Sequence, residues 1–145
     1  MILISHRGNL TGANSKLENK PLQIQKVLDL GYHCEVDVWF IRGEYLLGHD
    51  EPKVRIKEYM LENPKLWCHA KNLDSLQQML KNNKIHCFWH ETDQYTITSK
   101  QYIWTYPGNY VSDNCIIFDN SKSRPNYSCT GICSDYVQLY KAHYF

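Results

Sequence analysis

The sequence predicts a single α/β domain over residues 1–145, folded as a reduced TIM-type (β/α)8 barrel with several outer helices missing or shortened. Short apolar runs that end in glycine or polar residues indicate eight strands. Amphipathic segments with helix caps separate the strands of the first half. The barrel must be reduced, because 145 residues fall well short of the roughly 250 that this fold typically needs.

The first half of the chain alternates strands with helices. Strands are predicted over residues 2–6, 34–39, 66–70 and 85–90. Helices are predicted from Pro21 to Leu30, from Ile56 to Glu62 and from Leu73 to Leu80. Pro21 suits an early helical position, and Asn72 can cap the helix that it precedes.

The second half contains shorter elements. Four more strands are predicted over residues 95–98, 102–106, 115–118 and 131–134, followed by a terminal helix over 136–145. Polar loops such as Pro107-Gly108-Asn109 join them without a clear helical pattern. Four strands in each half give the eight that a barrel requires.

Four short motifs carry the candidate chemistry: His6-Arg7-Gly8, Glu18-Asn19, Glu35-Val36-Asp37 and His49-Asp50. Histidines can transfer protons near neutral pH. Paired carboxylates can bind a hard divalent cation, and a guanidinium can bind a phosphate. Together these residue types predict a metal-assisted phosphodiesterase.

Glu35 and Asp37 lie two positions apart in a predicted strand, so their side chains share one face. A solvent-facing strand would show the same alternation, but Val36, Val38 and Trp39 favour a buried one. The predicted strand over residues 2–6 ends at His6. In α/β barrels the active site lies at the carboxyl ends of the strands, where His6 would be. Taken alone, His6 is more often a structural histidine.

In this order the motifs resemble the glycerophosphodiester phosphodiesterase family. That family belongs to the phosphatidylinositol-phospholipase-C-like phosphodiesterases on a TIM-type barrel, with sphingomyelinase-D-type relatives. The resemblance is strong over residues 2–52 and weaker beyond. It implies hydrolysis of a glycerophosphodiester to an alcohol and a phosphomonoester at the barrel mouth.

The resemblance also implies roles for single residues. His6 and His49 would be the acid–base pair, while Arg7 and Lys71 would bind the substrate phosphate. Glu18 matches a family glutamate and would orient Arg7 or the metal site.

Glu35 and Asp37 would bind one divalent cation, Mg²⁺ or Ca²⁺, with His69 as a candidate third ligand. His69 stands where the family has an acidic residue. The imidazole removes one negative charge from a hard-cation site, which lowers the affinity for that ion or changes the preferred ion.

Further candidates follow later strands. His90 and Glu91 would line the mouth or form a surface turn, and Trp104 would bind a choline-like headgroup or lie in the core. Asp119 and Asp135 would point into the site or cap the next turn.

Two other functions fit the same residues. The first is a phospholipase-D- or C-like cleavage that cyclises the phosphate of a lipid or lysolipid headgroup. The second is a non-catalytic phosphate-binding descendant, which the small size and His69 favour. The product separates hydrolysis from cyclisation, and ligand binding without turnover identifies the descendant.

Composition bounds the partners and the compartment. A formal net charge of +1 gives no argument for nucleic acid as a partner. The partner that the resemblance implies is a small-molecule phosphodiester. The start of the chain lacks the pattern of a signal peptide, and no stable membrane anchor is expected. Six cysteines, most of them in predicted strands, favour reduced thiols and a cytoplasmic location. A thin helical coat would favour a homodimer.

Overall fold

The computed structural model describes all 145 residues. The strands are β1 (Ile2–His6), β2 (His33–Ile41), β3 (Glu44–Leu47), β4 (Val54–Ile56), β5 (Leu66–Ala70), β6 (Cys87–Phe88), β7 (Tyr95–Ile97), β8 (Ile103–Thr105), β9 (Cys115–Phe118) and β10 (Gly131–Ser134). The helices are α1 (Pro21–Asp29), α2 (Glu58–Leu61), α3 (Leu73–Leu80) and α4 (Val137–Tyr144).

All ten strands form one mixed sheet that curls into a half-barrel. Seven of them run parallel, side by side in the order β6-β5-β2-β1-β10-β9-β8. The hairpin of β3 and β4 adds to β2 in antiparallel pairing, and β7 pairs antiparallel with β8. The carboxyl ends of the seven parallel strands therefore lie along one edge.

The expected TIM-type (β/α)8 barrel is wrong, even in reduced form. Helices connect strands only in the first half, and no helix occurs between β6 and β10. The connecting segments there are polar and lack helical periodicity. A parallel crossover needs about a dozen residues. The five residues 98–102 are too few, so β7 and β8 form an antiparallel hairpin instead.

Most of the local predictions are confirmed. Helix α1 begins at Pro21, and the Asn72 side chain accepts a hydrogen bond from the Ser75 backbone at the start of α3. The predicted strand over 85–90 shrinks to Cys87–Phe88. The hairpin strands β3 and β4 were not expected as strands, and β4 occupies the start of the predicted second helix.

The sheet separates two apolar layers. The outer layer packs against the helices and includes Cys34, Val36 and Val38 of β2. The inner layer fills the curl with one side chain from each of six strands: Ile4, Trp67, Phe88, Trp104, Ile116 and Cys133. This separation confirms the predicted alternation of β2, because Glu35 and Asp37 lie on the inner side.

Two further facts concern the chain as a whole. Its longest helix has nine residues, and none is long and apolar enough to cross a membrane. All six cysteines are free thiols, and five of them are buried.

Candidate active site

The inner apolar layer forms the floor of the candidate site. Because every second residue of a strand faces the same side, the residue two positions after each floor residue lies at the carboxyl edge above it. This spacing places His6 after Ile4, His69 after Trp67, His90 after Phe88, Tyr106 after Trp104, Phe118 after Ile116 and Asp135 after Cys133.

A cleft of about 380 Å³ opens above this floor. Nine of the thirteen predicted site residues line it: His6, Arg7, Glu35, His49, His69, Lys71, His90, Glu91 and Trp104. Glu18 and Asp37 lie beside Arg7, and Asp135 contacts His6. Asp119 instead accepts hydrogen bonds from Tyr127 and Tyr140. The structure therefore brings all the predicted residues except Asp119 to one place.

His6 is held by a carboxylate at the end of β10. Its Nδ1 atom lies 2.7 Å from Oδ1 of Asp135. An ionised carboxylate only accepts, so the ring donates its Nδ1 proton. Burial raises the pKa of Asp135, but the hydrogen bond and the charge of His6 lower it by more. The pKa of Asp135 therefore lies below its ordinary value. Nε2 of His6 is 3.8 Å from Oε2 of Glu35, within the cleft.

Asp37 is central to the polar network, with 1% of the residue exposed. Its Oδ2 accepts a 2.9 Å hydrogen bond from Asn19 Nδ2. Arg7 Nε and His49 Nδ1 lie 3.2 and 3.4 Å from the same oxygen without hydrogen-bond alignment. Burial raises the pKa of Asp37, but His49, His69 and Arg7 outweigh it and hold the pKa well below its usual range.

His49 is oriented in the same way as His6. Nη2 of Arg7 lies 3.2 Å from its Nε2 atom. A guanidinium only donates, so Nε2 accepts and the ring proton sits on Nδ1, facing Asp37. Each of the two histidines thus turns Nδ1 towards a carboxylate, but Nε2 of His49 contacts Arg7, whereas Nε2 of His6 lies near Glu35.

Arg7 occupies the turn after β1 with a left-handed φ of 54°. This conformation costs a residue other than glycine about 1–2 kcal/mol. The Arg7 backbone N–H donates to the Glu35 carbonyl at 3.0 Å, and Nη1 lies 3.6 Å from the Glu18 carboxylate. Burial lowers the pKa of Arg7, but the charges of Glu35, Asp37 and Glu18 raise it above its ordinary value.

His69 faces both carboxylates of β2. Its Nδ1 atom lies 3.6 Å from Oε1 of Glu35 and 3.3 Å from Oδ1 of Asp37. Burial lowers the pKa of His69, but the two carboxylates outweigh burial and raise it to about 9.

Glu35, Asp37 and His69 can hold a metal ion, because one ligand atom from each lies within 4.8 Å of the others. The residues fit such an ion, since Oδ1 of Asp37 is buried and makes no hydrogen bond. Nζ of Lys71 lies 4.0 Å from the same oxygen.

The remaining predicted residues form the walls. Trp104 is buried and stacks on Phe88, with ring centroids 4.5 Å apart. Nδ1 of His90 hydrogen-bonds to Asp93 at 3.0 Å. Glu91 is exposed at the rim.

Sequence reasoning assigned no site role to the asparagines that hold these carboxylates. Nδ2 of Asn9 donates to Asp135 at 2.7 Å and to Glu18 at 2.9 Å, and Asn120 donates to Asp135 at 2.6 Å. Asn9 and Asn19 are 2% and 3% exposed. Asn9 directly follows the first motif and Asn19 belongs to the second, which is the signal that could have found them.

The chain was also compared with known proteins. No protein-family model, no curated protein and no solved structure matches it.

Proposed function

We propose that this protein cleaves a small phosphodiester in the cleft, with His6 and His49 as the acid–base pair. The observation that carries this proposal is that both histidines line the cleft and each has its Nδ1 atom beside a buried carboxylate. Proton transfer requires an imidazole nitrogen within reach of the reacting oxygen. The cleft of about 380 Å³ is of a size that suits a small molecule.

The reaction needs one proton removed and one delivered. One histidine, with Nε2 unprotonated, takes the proton of the attacking water. The other, protonated on both ring nitrogens, gives its Nε2 proton to the departing alkoxide as the P–O bond breaks. Arg7 and Lys71 bind the phosphate oxygens, and substrate binding releases Arg7 from the Nε2 atom of His49. Asp135 holds the Nδ1 proton of His6, and Asp37 lies beside Nδ1 of His49.

Glu35, Asp37 and His69 would hold one divalent cation, for which the sequence predicts Mg²⁺ or Ca²⁺. When bound, the cation would neutralise charge on the phosphate. The sequence resemblance makes a glycerophosphodiester the substrate class to test first. Free thiols support the cytosolic location that the sequence predicts.

The test is turnover of glycerophosphocholine and glycerophosphoethanolamine by the purified protein, followed by phosphorus NMR. Each substrate is assayed with Mg²⁺, Ca²⁺, Mn²⁺, Zn²⁺ or EDTA. We expect His6→Asn and His49→Asn each to lower kcat by about 100-fold or more. His143→Asn is the matched control, because His143 is exposed and hydrogen-bonds only to Asn126.

The products discriminate among the candidate reactions. A phosphomonoester supports hydrolysis, whereas a cyclic phosphate identifies attack by an internal hydroxyl and overturns hydrolysis. Unchanged rates in folded His6→Asn and His49→Asn proteins would overturn the acid–base assignment. Phosphate binding without turnover in any metal would instead support a binding protein.

A further inference from the structure

The three candidate ligands share one arrangement of their donor atoms. Oε1 of Glu35, Oδ1 of Asp37 and Nδ1 of His69 face one another. The other polar atom of each side chain is held by the protein. Oε2 of Glu35 accepts from the Arg7 backbone at 3.2 Å, and Oδ2 of Asp37 accepts from Asn19 at 2.9 Å. Such anchoring by neighbouring groups is typical of metal ligands.

The third side chain is anchored through its Nε2 atom, which lies 2.7 Å from the carbonyl oxygen of His90. A carbonyl only accepts, so Nε2 carries the proton, and the neutral ring has its lone pair on Nδ1. That lone pair faces two carboxylate oxygens, so either a proton on Nδ1 or a metal ion must lie between the three atoms. Oδ1 of Asp37 supplies independent support, because it is buried in a residue 1% exposed and has no hydrogen-bond partner.

The donor types favour one class of ion, and the two distances from the imidazole nitrogen agree with it. Tetrahedral bonds of 2.0–2.2 Å, as in zinc sites, separate neighbouring ligand atoms by about 3.4 Å. Octahedral Mg²⁺ bonds of 2.0–2.1 Å separate them by only about 2.9 Å. Nδ1 of His69 lies 3.3 Å from Asp37 and 3.6 Å from Glu35. Ca²⁺ takes six to eight oxygen ligands, and imidazole nitrogen is not among its usual donors.

We propose that Glu35, Asp37 and His69 bind Zn²⁺, or a transition ion of similar preference such as Co²⁺, more tightly than Mg²⁺ or Ca²⁺. With three protein ligands, the ion would keep a further coordination position, as catalytic zinc sites do, and Glu35 and His69 line the cleft. This inference rests on the same site as the proposed function. It replaces the expected Mg²⁺ or Ca²⁺ with Zn²⁺ or Co²⁺, and its test does not require the protein to turn over a substrate.

The test is isothermal titration of the chelator-treated protein with each ion alone, together with visible absorption of the Co²⁺ complex. We expect one equivalent of Zn²⁺ or Co²⁺ to bind with a Kd about 100-fold or more below that for Mg²⁺ or Ca²⁺. The Co²⁺ complex should show the strong visible bands of a low-coordinate nitrogen–oxygen site.

Two substitutions of His69 test the nitrogen donor. His69→Glu should weaken Zn²⁺ binding at least about 10-fold and strengthen Mg²⁺ and Ca²⁺ binding. His69→Gln, which keeps the size without a ring nitrogen, should also weaken Zn²⁺ binding and supplies the result if His69→Glu fails to fold. His143→Gln should bind all ions as the unmodified protein does.

The outcomes separate this inference from the proposed function. Equal or tighter binding of Mg²⁺ or Ca²⁺, or Zn²⁺ binding unchanged in His69→Gln, would overturn the inference and leave the acid–base proposal standing. Selective Zn²⁺ binding without turnover of any phosphodiester would support the inference and contradict the proposed reaction.

Discussion

Nδ1 of His6 and Oδ1 of Asp135 lie 2.7 Å apart, although 129 positions separate the two residues in the chain. The parallel pairing of β1 with β10 brings them together, because Ser5 pairs with Ser134 one position before each. Since Asp135 is itself fixed by two asparagine side chains, the carboxylate sets both the orientation and the tautomer of the imidazole.

Asp135→Asn should lower kcat by about 100-fold or more with little change in KM. An amide at this position can donate to Nδ1, which favours the tautomer with the proton on Nε2 and blocks the nitrogen that faces the cleft. The measurement is the pH profile of kcat and of kcat/KM. Because Asp135 acts through His6, the profile should change shape as well as height.

Asp119 supplies the matched control, since it follows β9 as Asp135 follows β10. Its Oδ2 accepts hydrogen bonds from Tyr127 at 2.7 Å and from Tyr140 at 2.8 Å. Asp119→Asn should therefore lower the free energy of unfolding by about 1–3 kcal/mol and leave kcat per folded molecule unchanged. Equal losses of kcat in the two variants would contradict the positioning role of Asp135.

The sequence predicted the parts of the site that depend on neighbouring residues. Glu35 and Asp37 share a face because strand alternation is local. The cap at Asn72 was likewise visible from the residues beside it. Two motifs of the first fifty residues could be found from the strands they follow or end, because His6 ends β1 and His49 follows β3.

The sequence could not predict which strands pair or in which direction. The second half has no helices between its strands, so its hydrophobic pattern fits several pairings. The contact of Asn120 with Asp135 depends on the parallel pairing of β9 with β10, which no local signal indicates. The eight-stranded (β/α)8 expectation failed for the same reason, because an eight-strand count does not specify sheet topology.

Asn19 should contribute to stability through its hydrogen bonds to Asp37. Its amide exchanges two hydrogen bonds with Asp37, each of 2.9 Å, and its φ of 56° lies in the left-handed region. Asn19→Gly removes both hydrogen bonds without backbone strain, so we expect a loss of about 1–3 kcal/mol in urea unfolding. Asn19→Ala should lose about 1 kcal/mol more because alanine disfavours this φ. A glycine variant as stable as the unmodified protein would contradict this account.

His86 should make folding sensitive to acid. It is 5% exposed, its Nε2 lies 2.7 Å from Thr98 Oγ1, and burial, aided by the charge of Lys100, lowers its pKa from 6.5 to about 4. The unfolded chain therefore binds the proton first as the pH falls. The stability contribution of His86 is complete above pH 6.5 and is lost between pH 6.5 and 4.

The expected loss from His86 is about 2 kcal/mol between pH 7 and pH 4.5. Urea unfolding at both pH values measures it, and His86→Gln should reduce the pH dependence by that amount. Other titrating groups act equally on both proteins, so the difference between them isolates this residue. The same pH dependence in both would refute the assignment.

Gly48 should be required for the placement of His49. Its φ is 155°, and a Cβ atom there would lie 1.9 Å from the backbone oxygen of Glu51. Gly48→Ala must move this turn, so we expect unfolding free energy to fall by about 2–4 kcal/mol and kcat to fall with it. Gly43 is the control, because its φ is 80° and a Cβ would meet nothing within 4 Å. Gly43→Ala should lower stability by about 1 kcal/mol through backbone strain alone and leave kcat unchanged. If thermal unfolding and turnover respond alike to the two alanines, the position of His49 does not depend on the Gly48 turn.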